Sequence, residues 1–216
     1  MNANTLRQGV VGPAGNIECA VDEPAVSVPV PVPVPVRGVA FVCHPHPQHG
    51  GTMDNKVVQT LARAYLLLGY RCVRFNFRGV GASAGEWGEG VGEIDDALAV
   101  INALRDPALP FMLAGFSFGA YVASQAAARM ADDAKPQRLV LVGPSTQRQQ
   151  MPTVPADTLV IHGETDDVVP LSATLDWARP QALPVVVFPG VGHFFHGQLA
   201  LLKNTVVREL QPRIAL

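Results

Sequence analysis

From residue 37 onward, short apolar runs alternate with stretches of helical periodicity, and a chain with that rhythm has few folds open to it. The largely apolar runs at 38–43, 71–77, 111–115, 138–142, 158–161 and 185–188 read as buried strands. Between them, 55–68, 93–104, 118–130 and 171–179 read as helices, as does 197–210 at the end. The pattern predicts a mostly parallel sheet with helices on both faces, joined by right-handed crossovers, with any site at the carboxyl ends of the strands. Residues 5–23 differ: two apolar-polar stretches around Gly12-Pro13-Ala14-Gly15-Asn16 predict an antiparallel hairpin at the sheet edge. Residues 28–36 alternate Val and Pro, which removes backbone donors and fixes φ, so they read as a stiff connector and not as a central strand. At 216 residues and 48 % hydrophobic, the expectation is one α/β domain over 1–216 with a substantial core.

One run carries a chemical signal. Gly115-Phe116-Ser117-Phe118-Gly119 follows the apolar Phe111-Met112-Leu113-Ala114 and precedes the small-residue stretch Ala120-Tyr121-Val122-Ala123-Ser124. A serine on so tight a strand-to-helix turn is held in strained backbone, and side chains in place of the glycines would collide with neighbouring main chain. The helix that follows aims unpaired N–H groups at the reacting centre. Read blandly, Ser117 is a helix cap; the strand-turn-helix context favours a nucleophile.

A serine hydroxyl needs a base, and the base needs a group that fixes its tautomer. The run Leu159-Val160-Ile161 leads into His162-Gly163-Glu164-Thr165-Asp166-Asp167-Val168-Val169-Pro170, with carboxylates just past a strand end. The last run, Val185-Val186-Val187-Phe188, leads into Pro189-Gly190-Val191-Gly192-His193. Serine, acid and histidine therefore occur in the chain order of a nucleophile-elbow hydrolase.

With His162-Gly163, Asp166, Val168-Val169-Pro170 and Gly192-His193 in place, residues 38 to 210 resemble the α/β-hydrolase superfamily. More narrowly, Cys43-His44-Pro45-His46-Pro47, Gly50-Gly51-Thr52-Met53-Asp54-Asn55-Lys56 and Phe75-Asn76-Phe77-Arg78-Gly79-Val80-Gly81 resemble small lidless bacterial serine hydrolases, relatives of dienelactone hydrolases and dipeptidyl-peptidase-like enzymes. The Val-Pro tract departs from that pattern. The resemblance implies an α/β-hydrolase fold. Larger members insert a helical cap where this chain has only a Gln-, Pro- and Thr-rich stretch between the runs at 138–142 and 158–161, so no cap domain and an open cleft are expected. The motif position favours Asp166 as the acid, with its neighbour Asp167 as the alternative, and Gly192 favours His193 over His196.

Phe118, the residue after the nucleophile, supplies one expected oxyanion-hole N–H. The second belongs to the loop after the third strand, where Pro45 and Pro47 have no N–H, leaving His46, with Gln48 as the weaker candidate. His44, His46 and His49 do not have zinc-signature spacing, and no metal or other cofactor is expected. Asp54-Asn55-Lys56 reads as a helix cap, and Arg78 as a structural partner of a neighbouring loop. Met53, Trp87, Phe116 and Phe194 are candidates for an apolar acyl pocket, with Phe118 and Phe195 nearby in sequence.

A net charge of −2 with 16 % charged residues gives no field for nucleic acid or an anionic membrane. The expected partner is a small acyl substrate; a C2 homodimer is left open. Cys19, Cys43 and Cys72 are widely spaced without a CxxC, and no signal-peptide core or membrane-length apolar run occurs, so a reducing cytoplasm is expected. The expected function is a carboxylesterase for small to medium acyl esters using Ser117, His193 and Asp166. A peptidase or thioesterase would use the same residues, and a catalytically silent binding domain is the reading from another class.

Overall fold

The computed structural model describes residues 5–25 and 36–211; apart from Val36, the Val-Pro tract lies outside them. The chain opens with β1 (Leu6–Gly12) and β2 (Gly15–Asp22), an antiparallel hairpin closed at Gly12 and Gly15. Then follow β3 (Val39–Cys43), α1 (Lys56–Leu67), β4 (Arg71–Phe75), α2 (Val91–Leu104), β5 (Phe111–Phe116), α3 (Phe118–Arg129), β6 (Arg138–Val142), β7 (Leu159–Gly163), α4 (Leu171–Ala178), β8 (Val185–Phe188) and α5 (Leu199–Leu210). The strands form one eight-stranded sheet in the order β1-β2-β4-β3-β5-β6-β7-β8. The hairpin joins β4 antiparallel, and every pairing from β4 to β8 is parallel.

Burial explains the apolar runs. Every residue of β3, β5 and β7 is buried, because α1 and α5 cover one face and α2, α3 and α4 the other. Val57, Leu61, Leu202 and Val206 pack against Ala40, Val42 and Ala114 on the first face. Ile94, Ile101, Val122 and Ala126 pack against Phe41, Leu113 and Leu141 on the second. After β3 the chain crosses to β4 on one side and then to β5 on the other, so the crossovers diverge and open a crevice above the carboxyl ends of β3 and β5.

Several boundaries shift for identifiable reasons. Helix α2 starts at Val91, earlier than its periodicity predicts, because buried Glu93 accepts from the Gly88 and Gly90 N–H groups and fastens the glycine-rich turn as a cap. Strand β4 stops at Phe75, short of the expected end, as the Phe77 N–H is diverted to His44 Nε2 at 3.0 Å. Strand β7 runs on through His162 and Gly163, which pair with Val187 and Phe188, so His162 lies within the strand and not in the loop after it. At α1 the cap is Asn55, whose Oδ1 accepts from the Val57 N–H. Asp54 instead accepts from Arg7 and from Arg74, a buried arginine that also pairs with buried Asp22 at 3.0 Å.

The stretch expected to replace a cap contains no regular helix and is tied down. Met151 and Val154 are buried in the core, the Trp177 indole donates to the Pro152 carbonyl, and Gln125 donates to the Gln150 carbonyl. It is a loop packed onto the core, not a helical cap. Cys19, Cys43 and Cys72 are free and buried, with thiols pushed up by that burial, Cys19 to about 12. No helix among the described residues is long and apolar enough to cross a membrane.

His44 shows how the loop after β3 is fixed. The Pro45 carbonyl can only accept, so Nδ1 carries the proton and donates to it at 2.6 Å, leaving Nε2 to accept from Phe77. Burial pushes its pKa from an ordinary 6.5 down to about 4. Between those values the unfolded chain binds a proton that the folded one refuses, so stability falls as pH drops through that window. Urea unfolding at about pH 7 and pH 4.5 checks this: the acid loss of stability in the wild type is expected to be smaller in His44→Gln.

Candidate active site

The turn between β5 and α3 holds Ser117 at φ 56° and ψ −119°, a strained conformation for a residue with a side chain. Two contacts enforce it. The Ser117 N–H donates to the Val142 carbonyl at 2.9 Å, and the Ser117 carbonyl accepts from the Ala120 N–H at 3.0 Å. A Cβ at Gly115 would overlap the Gly119 carbonyl, and one at Gly119 would overlap the carbonyls of Cys43 and His44. Both glycines exist because backbone passes where a side chain would be.

Ser117, Asp166 and His193 converge above the strand ends from β5, the loop after β7 and the loop after β8, and all three are buried. His193 Nε2 lies 3.0 Å from Ser117 Oγ, and its Nδ1 lies 2.6 Å from Asp166 Oδ2. The other carboxylate oxygen, Oδ1, accepts from the N–H groups of Val168 at 2.9 Å and Val169 at 2.7 Å. Burial alone would raise the Asp166 pKa, but the hydrogen bonds from His193 and Val169 outweigh it, and the net shift is downward. The carboxylate is therefore ionised near neutrality and can only accept. That puts the His193 proton on Nδ1 and leaves Nε2 free to accept from the serine hydroxyl.

The alternatives lie elsewhere. Asp167 is exposed and no hydrogen bond among the described residues ties it to His193. His196 is exposed, with its ring 5.8 Å from Phe194.

Around the three residues the aromatic side chains divide into two groups. Phe116 and Phe194 flank His193, at 4.9 and 5.1 Å between ring centroids, and Phe194 is 45 % exposed. On the other side Trp87, half-buried, lies 5.2 Å from the Phe118 ring and 4.6 Å from His46, which stacks on His49 at 4.4 Å. Met53 and Phe195 belong to neither group. Met53 is buried with its N–H on Asn76 and its carbonyl on Arg74, and the Phe195 ring packs into the core against Phe188.

The N–H groups of Phe118 and His46 have no acceptor among the described hydrogen bonds, whereas the Gln48 N–H is spent on His46 Nδ1. Burial, followed by the nearby charges of His49 and Arg148, pushes the His46 imidazole down, so it stacks as a neutral ring. Arg78 is engaged in a two-pronged pair with buried Asp96 on α2, as a structural arginine would be. A groove of about 330 Å³ runs beside His193, lined by Asp167, Val168, Gly192, Phe194 and His196. A larger cavity of about 570 Å³ lies away from these residues, between α1 and the end of β2.

His162 entered the sequence reading only as part of the His162-Gly163 motif, which gives no hint of what the imidazole contacts, and its partner Thr174 had no sequence signal.

Comparison with known proteins gives a consistent picture. The family model described as serine aminopeptidase, S33, matches residues 35–156. The chain is 39 % identical to an α/β serine hydrolase without lid from Xanthomonas campestris, with 98 % of this chain and 95 % of that one covered at a TM-score of 0.86. It is 37 % identical to an α/β serine hydrolase homologue from Coxiella burnetii, with 97 % and 98 % covered at a TM-score of 0.81. A stretch of 90 residues is 44 % identical to an uncharacterized protein of Rickettsia prowazekii, a match that spans 40 % of this chain and only 38 % of that curated relative.

Proposed function

The chain belongs to the α/β-hydrolase superfamily, and from that premise we propose that it is a serine hydrolase, specifically a carboxylesterase acting on small to medium acyl esters. The observation that carries this reading is the unbroken hydrogen-bond path from Ser117 Oγ through His193 to Asp166 Oδ2. Ser117 Oγ attacks the ester carbonyl carbon while its proton passes to His193 Nε2, and Asp166 stabilises the imidazolium that forms. The carbonyl oxygen, now an anion, accepts from the N–H groups of Phe118 and His46, the latter backbone donor being independent of the imidazole. The tetrahedral adduct collapses as His193 returns the proton to the departing alcohol. Water, deprotonated by the same nitrogen, then releases the carboxylic acid and restores Ser117.

The leaving group must stand where His193 can protonate it, beside Phe194, which directs the acyl chain toward Trp87 and the neutral His46 ring. With no helical cap, the cleft has no second wall to enclose a long chain. Turnover of p-nitrophenyl esters from acetate to decanoate, beside peptide p-nitroanilides and acyl thioesters, tests the assignment. A preference for esters supports it; exclusive cleavage of anilides or thioesters would replace it with a peptidase or thioesterase using the same residues. No reaction with any substrate, together with no labelling by a fluorophosphonate, would leave a silent binding domain. Within the ester series, Trp87→Ala is expected to lower kcat/KM for octanoate roughly tenfold more than for acetate, since about 1.5 kcal/mol of apolar contact is lost only by the longer chain.

A further inference from the structure

His162 is the buried penultimate residue of β7, with its Nε2 close to the acid. Its Nε2 lies 2.9 Å from the Val169 carbonyl and 3.4 Å from Asp166 Oδ2, the same oxygen that holds His193. Its Nδ1 lies 3.2 Å from Thr174 Oγ1, which is 3.1 Å from Thr146 Oγ1. A carbonyl and a carboxylate only accept, so Nε2 bears the proton. Nδ1 is then a bare acceptor, Thr174 must donate to it, and the remaining lone pair of Thr174 takes the Thr146 hydroxyl. The chain of donors has one consistent direction from the loop after β6 to the Val169 carbonyl, in the loop that carries the acid. It also closes a ring, since Val169 returns its own N–H to Asp166 Oδ1 at 2.7 Å.

We infer that His162 is a positioning residue for the triad: a second histidine whose Nε2–H fixes the Asp166 loop and, from beside Oδ2, limits how strongly that carboxylate pulls on His193, with the Thr146–Thr174 hydroxyls holding its tautomer. This rests on the serine-hydrolase reading above. Burial lowers the His162 pKa, in keeping with a ring that stays uncharged beside the carboxylate. The titratable groups at this point are Asp166, His193 and His162; Asp167 and His196 lie exposed beside them. A protonated His162 would compete with His193 for the same oxygen, and the hydroxyl donating to Nδ1 opposes that state.

The test pairs His162→Gln, whose amide can reach the Nε2–H position without ever titrating, with His162→Leu, which has no donor. In the Leu variant kcat is expected to fall roughly tenfold to a hundredfold with KM little changed, the scale of a misplaced catalytic group. Its kcat/KM profile should also move its acid limb to higher pH, because Asp166 without the N–H dipole binds the His193 proton more strongly. The Gln variant should keep the wild-type acid limb and recover most of kcat. Equal losses in both variants, or an unmoved acid limb in His162→Leu, would overturn the inference and leave His162 as core packing. Should His162→Leu fail to fold, histidine-selective nitrogen NMR of the intact wild-type protein decides: an Nε2–H tautomer for His162 at neutral pH is expected, and an Nδ1–H tautomer or a charged ring overturns the inference. The NMR reading stands even if no ester is turned over and Ser117 is not labelled, an outcome that would instead sink the hydrolase assignment.

Discussion

Replacing Ser117 by alanine is expected to reduce kcat on p-nitrophenyl butyrate by about a millionfold, close to the uncatalysed background, with KM changed far less. The size follows from the way the residues act as a unit. Without Oγ there is no nucleophile for His193 to activate, and only the backbone donors and the fit of the substrate remain. The fold should not change. Ser117 makes no side-chain cap to α3, its Oγ contacts His193, and alanine bears the same penalty at φ 56° as serine does. Thermal unfolding of the variant is expected within about 0.5 kcal/mol of the wild type. Fluorophosphonate labelling, read by mass, should shift the wild type and not the variant. Labelling that survives in Ser117→Ala would move the nucleophile elsewhere in the chain.

Asp166→Asn is expected to cost roughly 10⁴-fold in kcat, while Asp167→Asn stays within a few-fold of the wild type. The asymmetry comes from hydrogen-bond polarity. Both Asp166 oxygens are used as acceptors, Oδ2 for His193 and Oδ1 for the N–H groups of Val168 and Val169. An asparagine has one oxygen. If its amide NH₂ faces Val168 and Val169, three donors meet without an acceptor; if the amide flips, NH₂ faces Nδ1 and forces the proton onto Nε2, where it blocks acceptance from Ser117. The first orientation is disfavoured by its unmet donors and loses the charge that steadies the imidazolium, the second disables the base, and the exposed Asp167 offers no such conflict. Comparison of kcat for the two variants over neutral to mildly alkaline pH distinguishes them. A larger loss in Asp167→Asn would reassign the acid.

Residues that lie close together in the chain were the legible ones. The elbow could be read because strand, turn and helix follow one another from Phe111 to Arg129, and the glycines at 115 and 119 record steric conflicts that any such turn creates. The parallel sheet was legible because strands covered on both faces must be apolar along their whole length, as β3, β5 and β7 are. Boundaries were less legible wherever a distant partner set them. Glu93 starts α2 early, and His44 ends β4 by taking the Phe77 N–H, neither of which is visible in the local periodicity. The aromatic candidates were split for the same reason. Phe116 and Phe194 flank His193 and Trp87 packs on Phe118, but Phe195, adjacent to Phe194, turns into the core, and Met53 is held by Arg74 and Asn76.

By itself the sequence determined the alternation of strands and helices, the strained serine turn and the order in which serine, acid and histidine follow one another, because each depends on local sterics or on apolar periodicity. Only the tertiary structure decided which way the protons point: His44 bridging two loops by accepting from Phe77 at Nε2 while its Nδ1–H goes to Pro45, Asp166 rather than Asp167 facing His193, and His162 donating to the Val169 carbonyl behind the acid. Hydrogen-bond polarity is fixed by whether the group opposite can donate or only accept, and in this fold those opposite groups arrive from other strands and loops.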